Sequence, residues 1–468
     1  MPVSQTFKRC ALVFLFLFAI GLRVAFYHVE TSDYTVFVSQ WYNFIKTHNG
    51  FAAFKYDFYN YNPPYLYLLA LTTYLPVPQE IAIKSLSVIF DIVLGIFAYL
   101  FLRLKYRRYD VAIIGALVVL FAPTIFINGA VWGQCDAIYT AFCLGSLYFL
   151  LTERPAWACA FFAIAFSFKL QAIFFLPALL VILLKRRLPL HYLAFIPIIF
   201  LLSLAPAFIA GRDAVSLLTI YEGQITSGGV AGAGQFNGAG RAPNGGTGQA
   251  NRPGGGGNVN GGGQTNSPGG TGQANRQRGG GNSNGGGQGN RQGGRGNFNG
   301  GGARGGNFSS SSLTLNAPTF YQWLPASAPG YWKWIGVLFA GAVVAAISAL
   351  ILTSKEMLTP AVQLKIALVF VLVIPFLLPD MHERYFYLAD VISIVYAFYF
   401  PRAFYIALIM QLCSLLSYAP YMLGHEVVSL ALVAVAVLLI AILALADLVL
   451  TLYPDLRKRM GKQVVASS

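Results

Sequence analysis

The sequence predicts an all-α membrane protein, a bundle of about twelve transmembrane helices. Three observations predict this class. The 468 residues are 56% hydrophobic and only 10% charged, whereas soluble domains carry roughly a quarter charged residues. Apolar runs recur along the chain, and several are long enough to cross a hydrocarbon core, which needs about 20 residues. Lysine and arginine clusters fall at the ends of these runs, as membrane topology requires.

The apolar runs justify the helices in chain order. The first run, 11–27, follows Lys8 and Arg9 and lacks a small-residue cleavage site, so it predicts an uncleaved helix with a cytoplasmic N-terminus. Lys169 and Gln171 divide the later stretch 156–184 into two short helices. The runs after the first are 81–102, 111–129, 134–151, 156–169, 171–184, 189–210, 332–353, 361–378, 386–400, 403–421 and 427–452.

The short run 65–75 sets the topology. It is too short to span a membrane, so we expect an interfacial helix in the first extracytoplasmic loop. The basic cluster 103–108 then lies in the cytoplasm, in agreement with the positive-inside rule. Further basic groups agree with this scheme at 185–187, 355, 402 and 457–459. The extracytoplasmic face then receives segments 27–64, 128–136, 211–331 and 379–385.

A glycine-rich segment accounts for the unusual composition. Residues 228–306 hold 34 of the 48 glycines and seven arginines but no acid, and these arginines supply seven of the fifteen net positive charges. Such a polar segment cannot bury enough surface to order itself, so we predict disorder. The string 245–252 recurs at 269–276, which indicates replication slippage. An expanded water-facing loop and an arginine-glycine tether for an anionic polymer are the two interpretations. The predicted domains are modules 1–227 and 307–468 around this insertion.

Composition and motifs also exclude several function classes. The basic residues outside the glycine-rich segment are explained by membrane topology, so we expect no nucleic-acid partner. The five cysteines form no CxxC pair and indicate neither zinc nor disulfides. The sequence has no phosphate-binding loop, dinucleotide motif, HExxH or GxSxG at a convincing position. We therefore predict no metal and no cofactor.

Asp33 is the first candidate site residue on the predicted outer face. A polar group in the interior of a membrane costs free energy, so such groups usually face a cavity. Asp33 comes shortly after the first helix, where its carboxylate suits a general base acting on a hydroxyl. The string Thr31-Ser32-Asp33 fits a helix N-cap equally well, so both interpretations remain open.

Aromatic and amide side chains occupy the same face. Two prolines in the tyrosine-rich string 59–67 predict an extended start to the interfacial helix. Its tyrosines favour an interfacial aromatic belt, although they also suit stacking on a sugar. Trp132 suits a membrane-interface anchor, and Gln134 and Asp136 fit either a helix cap pair or sugar ligands. The tyrosines concerned are Tyr59, Tyr61, Tyr65 and Tyr67.

Two charged segments complete the candidate site. Lys169 interrupts an apolar stretch, and either a lipid phosphate partner or a short interhelical loop would explain it. The segment 380–385 opens an apolar helix with His382, Glu383 and Arg384. Arg384 can grip a phosphate through two parallel hydrogen bonds, and His382 can donate to one. A solvated loop with an internal ion pair is the alternative.

The order of these motifs on one face resembles the GT-C superfamily of polytopic glycosyltransferases. The resemblance is strongest to bacterial proteins related to the second mannosyltransferase of GPI-anchor assembly, and it extends to the endoplasmic-reticulum glucosyltransferases of N-glycan assembly. It covers most of residues 10–425 except the insertion. Leu170 interrupts a Lys-Gln pair, and Arg384 stands where the glucosyltransferases have lysine. The strings that carry the resemblance are 33–34, 62–64, 132–136, 169–171, 315–318 and 382–384.

The resemblance implies a GT-C-like bundle and an inverting transfer that needs no metal. The implied donor is a polyprenyl- or dolichyl-phosphate hexose, with mannose favoured, and the acceptor is a glycan, a lipid-linked molecule or a protein. Asp33 would deprotonate the acceptor, while Arg384, His382 and Lys169 would hold the donor phosphate. The residues implied to line the substrate sites are Tyr61, Trp132, Gln134, Asp136 and Glu383.

The same resemblance implies a multi-pass protein in contact with membrane lipid, with an extracytoplasmic active site. The membrane would be the plasma membrane in a bacterium or the endoplasmic reticulum in a eukaryote. A transporter or lipid-linked sugar flippase is the alternative function. In that case Lys169, Asp91 and Asp390 would mark a path across the membrane.

Overall fold

The computed structural model describes residues 5–226, 313–325, 330–456 and 458. Within these ranges the chain is almost entirely helical. The α-helices are α1 (Gln5–Ala25), α2 (Ser39–Thr47), α3 (Pro63–Thr72), α4 (Gln79–Lys105), α5 (Tyr109–Phe121), α6 (Pro123–Phe126), α7 (Asp136–Leu151), α8 (Pro155–Phe168), α9 (Leu176–Lys185), α10 (Phe195–Ile209), α11 (Ala214–Leu218), α12 (Ile220–Thr226), α13 (Tyr331–Thr353), α14 (Pro360–Leu377), α15 (Tyr387–Tyr399), α16 (Phe404–Leu423) and α17 (Leu430–Leu452). The strands are β1 (Thr314–Leu315) and β2 (Met381–His382). The predicted insertion 228–306 lies outside the described residues.

The predicted all-α membrane class is confirmed, although fewer helices are long enough to span than the sequence suggested. Each of the twelve apolar runs forms a helix. Among the described residues, six helices have the length and composition to cross a membrane, or seven if α5 and the bent segment 123–132 form one span. Four further apolar helices have only 10–17 residues. The prediction of about twelve transmembrane helices counted each apolar run as one straight spanning helix.

Local sequence explains where the helices break. Pro123 cannot continue the hydrogen-bond ladder of α5, and the chain bends by 51° there. Lys169 is extended between α8 and the 3₁₀ segment Leu170–Phe175, so the predicted division of 156–184 is confirmed. Thr359 caps α14 through its side chain, and Pro360 fills the first turn, where no N–H partner is needed.

The core lies around α14, which is buried along nearly its whole length. Helices α10 and α13 instead expose many apolar side chains, as lipid-facing helices do. One apolar cluster contains residues from both sides of the undescribed stretch, from α4 and α7 to α14 and α17. The described parts of the two predicted modules therefore share a single core.

The first loop is a packed layer with its own apolar cluster. Helix α3 begins at Pro63 and is too short to span, as predicted for the interfacial helix. Tyr65, Leu66 and Leu69 of α3 are buried together with Trp41 of α2. This layer packs the chain between α1 and α4 against α8 and α10, and its apolar cluster includes Ile138 of α7.

Candidate active site

Three distant segments meet at Asp33, which directly precedes the helical turn Tyr34–Val38. Oδ2 of Asp33 accepts hydrogen bonds from Nε1 of Trp132 at 3.1 Å and from Nε2 of Gln134 at 2.8 Å. The Arg384 guanidinium lies 3.5 Å from the same oxygen. The Asp33 side chain makes no capping hydrogen bond to the helical turn that follows it. The geometry thus favours a site residue over the N-cap alternative.

Tyr421, at the end of α16, completes the surroundings of Asp33. Its hydroxyl accepts hydrogen bonds from the Ser32 hydroxyl and from the Asp33 backbone N–H, each at 2.7 Å. Its ring stacks on Trp132 with centroids 4.3 Å apart. Tyr421 was not among the residues that the sequence indicated, because the string Tyr418-Ala419-Pro420-Tyr421 carries no local sign of its contact with Asp33.

The turn that supplies Trp132 and Gln134 has an unusual backbone. The wide helical turn Ile127–Trp132 ends at Gly133, which adopts φ +77°, a conformation that a side chain makes costly. The Gln134 backbone N–H then donates to the Asn128 carbonyl at 2.9 Å. Gln134 points its amide at Asp33, so it does not cap α7. The turn presents two donors to one carboxylate oxygen.

Asp136 and Lys169 form a buried ion pair beneath this turn. Oδ1 of Asp136 contacts the Lys169 ammonium, and Oδ2 accepts from the Asn128 amide at 2.8 Å. Nε of Arg384 lies 3.9 Å from Oδ2 of Asp136. Asp136 therefore contacts two cations of the site, and of the two interpretations left open for Gln134 and Asp136, the helix cap pair does not match these contacts.

A strand pairing fixes the corner 380–385. Strand β1 runs parallel to β2, with Leu315 opposite His382, and the Glu383 N–H donates to the Leu315 carbonyl at 3.1 Å. Asp380 starts the corner at φ +59°. The corner is therefore a built structure, and the alternative of a solvated loop does not fit it.

Arg384 and Glu383 are the central charges of the corner. The Arg384 guanidinium lies 3.1 Å from the Glu383 carboxylate and 5.5 Å from the Trp132 ring. Nε of Arg384 is buried and has no hydrogen-bond partner among the described residues. Burial raises the pKa of Glu383 to about 7, against the opposing influence of Arg384. Arg384 thus lies among three carboxylates, those of Asp33, Asp136 and Glu383.

Two cavities meet at this cluster. The Asp33 cavity, of about 430 Å³, is lined by Asp33, Gln134 and aromatic residues of the first loop. The Lys169 cavity, of about 650 Å³, has a mostly apolar lining that includes Ile173 and Trp334. The residues that line both cavities are Asn60, Tyr61, His382 and Arg384. A ligand group at this shared wall would contact both compartments.

The tyrosine-rich string does not form the predicted interfacial belt. Tyr59 and Tyr65 are buried within the first-loop layer, where their rings fill the apolar cluster. The Tyr67 hydroxyl accepts a hydrogen bond from the Ala207 N–H at 2.9 Å. Tyr61 borders both cavities, and its ring lies 5.6 Å from the Lys169 ammonium. Protein packing, which hydropathy does not reveal, buries the side chains that the belt would expose.

The acids of the bundle interior are partnered. Asp91 forms a buried ion pair with Arg23 at 2.9 Å, and Asp390 accepts from the Ser414 hydroxyl at 2.8 Å. Together with the Lys169–Asp136 pair, these contacts tie helices to one another. No group of three or more potential metal ligands occurs among the described residues.

A comparison with protein families identifies the class of chemistry. The model of glycosyltransferase family 87 matches residues 58–219, which contain Tyr61, Trp132, Gln134, Asp136 and Lys169. The match starts after Asp33 and ends before the corner 380–385. No curated protein matches the chain. Together with the apolar helices, the family match supports a membrane glycosyltransferase.

Proposed function

We propose that the protein is a GT-C-type glycosyltransferase that moves a hexose, mannose being favoured, from a polyprenyl- or dolichyl-phosphate donor to an extracytoplasmic acceptor with inversion. One observation carries the proposal. A carboxylate, Asp33, and a guanidinium, Arg384, lie 3.5 Å apart where the Asp33 cavity meets the larger Lys169 cavity. Transfer from a sugar phosphate requires a carboxylate that takes the acceptor's proton and, beside it, a cation that binds the departing phosphate.

Asp33 is the proposed general base. Within the described residues, its three donors all contact Oδ2, so Oδ1 keeps its lone pairs for the acceptor hydroxyl. The acceptor oxygen attacks the anomeric carbon and its proton passes to Asp33. The bond from that carbon to the phosphate oxygen breaks, and polyprenyl phosphate leaves with the bonding electrons. Attack from the face opposite the phosphate inverts the anomeric centre.

Arg384 and His382 are the proposed phosphate ligands. Both line the wall between the cavities, and the planar guanidinium of Arg384 suits a bidentate grip on phosphate. Lys169 lies in the same cavity wall, and its pairing with Asp136 makes it a supporting cation. The apolar lining that continues from Ile173 to Trp334 suits an isoprenoid chain.

The remaining pocket residues are proposed to line the sugar subsites. Tyr61, at the shared wall, suits stacking on the transferred hexose, and Gln134 and Glu383 offer polar contacts beside it. Trp132 and Asp136 are almost fully buried, so they act mainly by holding Asp33 and the cations in place. The acceptor, a glycan, a lipid-linked molecule or a protein, occupies the Asp33 cavity.

A reconstituted transfer assay tests the function. Purified protein in proteoliposomes is supplied with polyprenyl-phosphate mannose or glucose and with extracts of lipid-linked saccharides, and products are identified by mass spectrometry. We expect release of polyprenyl phosphate together with an acceptor enlarged by one hexose. Movement of labelled lipid-linked sugar across the bilayer without any transfer would instead support the flippase alternative.

Glu383 gives the transfer a predictable pH dependence. Burial raises its pKa to about 7, so the carboxyl is neutral below that pH and becomes an anion above it. The new charge beside Arg384 opposes the donor phosphate, and we expect the donor KM to rise about five- to tenfold between pH 6 and pH 8. E383Q should remove most of this rise, as measured by initial rates over that range.

Two matched variants isolate the contribution of Glu383. E426Q changes an exposed carboxylate that accepts from the Leu430 N–H, and it should keep the wild-type pH profile. H382Q tests whether the neighbouring imidazole causes the effect. A pH profile that is unchanged in E383Q but flat in H382Q would assign the dependence to His382.

The proposed topology places the active site outside the cytoplasm, and cysteine accessibility tests it. Arg107 is exposed between α4 and α5, and His425 is exposed between α16 and α17. In a C10S background, which removes the exposed native cysteine, we expect an impermeant maleimide to label His425→Cys in intact cells. Arg107→Cys should react only after permeabilisation. Labelling of Arg107→Cys in intact cells would reverse the assignment.

A further inference from the structure

The first half of helix α4 carries two buried polar side chains that the proposed chemistry does not use. Lys84 is fully buried and Ser87 is 1% exposed. They are three residues apart, so both project from one face of the helix. No ion pair of the described residues includes Lys84, so its charge is stabilised in another way. A buried cation needs compensating groups, because desolvation is costly.

The Lys84 ammonium is held by backbone carbonyls from two segments. It donates to the Val131 carbonyl at 3.0 Å and to the carbonyls of Phe26 and Val29. An ammonium has three N–H donors, and three carbonyls accept from it here. One segment leads from α1 to Asp33, and the other leads into Trp132. Lys84 therefore joins the two stretches of chain that meet at Asp33.

Ser87 holds the far end of the same turn. Its hydroxyl donates to the Gln134 carbonyl. Lys84 and Ser87 thus fix the carbonyls of residues 131 and 134, on either side of the Gly133 turn. Trp132 lies between the two anchored carbonyls, and Gln134 carries one of them. The side chains of these two residues donate the hydrogen bonds to Asp33.

We propose that Lys84 and Ser87 are positioning residues that hold the turn 131–134 so that Trp132 and Gln134 keep the Asp33 carboxylate aligned with the acceptor. The inference rests on the proposed function, because it concerns the alignment of the proposed base. A displacement of about 1 Å at a reacting group can lower a rate by roughly a hundredfold. When one anchor is lost the other still holds the turn, so we expect a smaller loss of rate than that.

The decisive variant is S87A, with S146A as its matched control. Ser146 is equally buried and donates to the Ala158 carbonyl at 2.8 Å, between α7 and α8. The two substitutions remove the same hydroxyl from the same kind of contact. We expect S87A to lower kcat roughly tenfold with donor KM within about twofold of wild type. S146A should leave kcat near wild type, and both variants should lower the melting temperature to a similar extent.

A double-mutant cycle separates positioning from a general loss of stability. If Ser87 acts through Gln134, S87A should cost little further activity in a Q134L background. An S87A effect that is unchanged by Q134L, or equal to that of S146A, would overturn the proposal. K84R keeps N–H donors at the other anchor and should be more active than K84M. Lower activity in K84R than in a folded K84M would contradict the role of Lys84.

D33N is measured in the same assay to separate the two hypotheses. Wild-type activity in D33N would refute the proposed function itself. An inactive D33N together with S87A that behaves like S146A would refute only the positioning role. Should K84M fail to fold, the serine pair and the Q134L cycle still decide the question.

Discussion

Replacing Asp33 with asparagine is expected to lower the rate of sugar transfer by about 10²- to 10⁴-fold, the usual contribution of a positioned general base. The change keeps the size and planarity of the side chain but removes its basicity. Trp132 and Gln134 donate to the carboxylate oxygen in the wild type, and an amide oxygen can accept from them too. The measurement is single-turnover transfer from polyprenyl-phosphate mannose at saturating donor.

The control for D33N is D213N. Asp213 is exposed and caps α11 by accepting from the Ser216 N–H at 2.8 Å. Asparagine caps helices about as well as aspartate, so D213N should remain fully active. Donor affinity of D33N, measured by binding alone, should stay near wild type, because the phosphate ligands are intact. Transfer by D33N within about threefold of wild type would exclude a base role for Asp33.

Replacing Arg384 with lysine is expected to lower kcat/KM for the donor by about 10²- to 10³-fold, the effect of removing one preorganised oxyanion donor. Lysine keeps the positive charge near Asp33 and Glu383 but lacks the planar fork that grips two phosphate oxygens. Both kcat and KM should change, because the phosphate is bound in the ground state and gains charge as it leaves. Initial rates over a range of donor concentration separate the two parameters.

R186K is the matched control for R384K. Arg186 donates to the Leu150 carbonyl and pairs with Glu153, away from both cavities. R186K loses the same planar guanidinium as R384K, so a general effect of this substitution on folding would appear in both variants. We expect R186K to transfer sugar at the wild-type rate. A wild-type donor KM and kcat in R384K would show that the phosphate is bound elsewhere.

The helices could be predicted because their signals are local. Each apolar run became a helix, and the interruption at Lys169 lies where the sequence indicated it. The number of full-length spans could not be predicted in the same way. Pro123 bends one run by 51°, and several runs form helices too short to span alone. Neighbouring helices cover the buried faces of these short helices, and hydropathy does not show such packing.

The candidate residues could be proposed one by one, but their partners could not. Asp33 and Gln134 are 101 residues apart in sequence, and Asp33 and Arg384 are 351 apart. From the sequence alone, an N-cap explained Asp33 as well as a base did, because each interpretation depended on what lay nearby. Tyr421 and Lys84 carry no strong local pattern, so only their contacts reveal them.

The sequence by itself determined an all-α membrane protein, the order of its helices and the presence of acids and cations in the loops of one predicted face. Hydropathy, proline and charge act over a few residues, so these features can be read along the chain. The tertiary structure decided that Asp33 shares a wall with Arg384 between two cavities, and that Lys169 is paired with Asp136. Such contacts arise from the packing of distant segments against one another, and no short stretch of sequence encodes them.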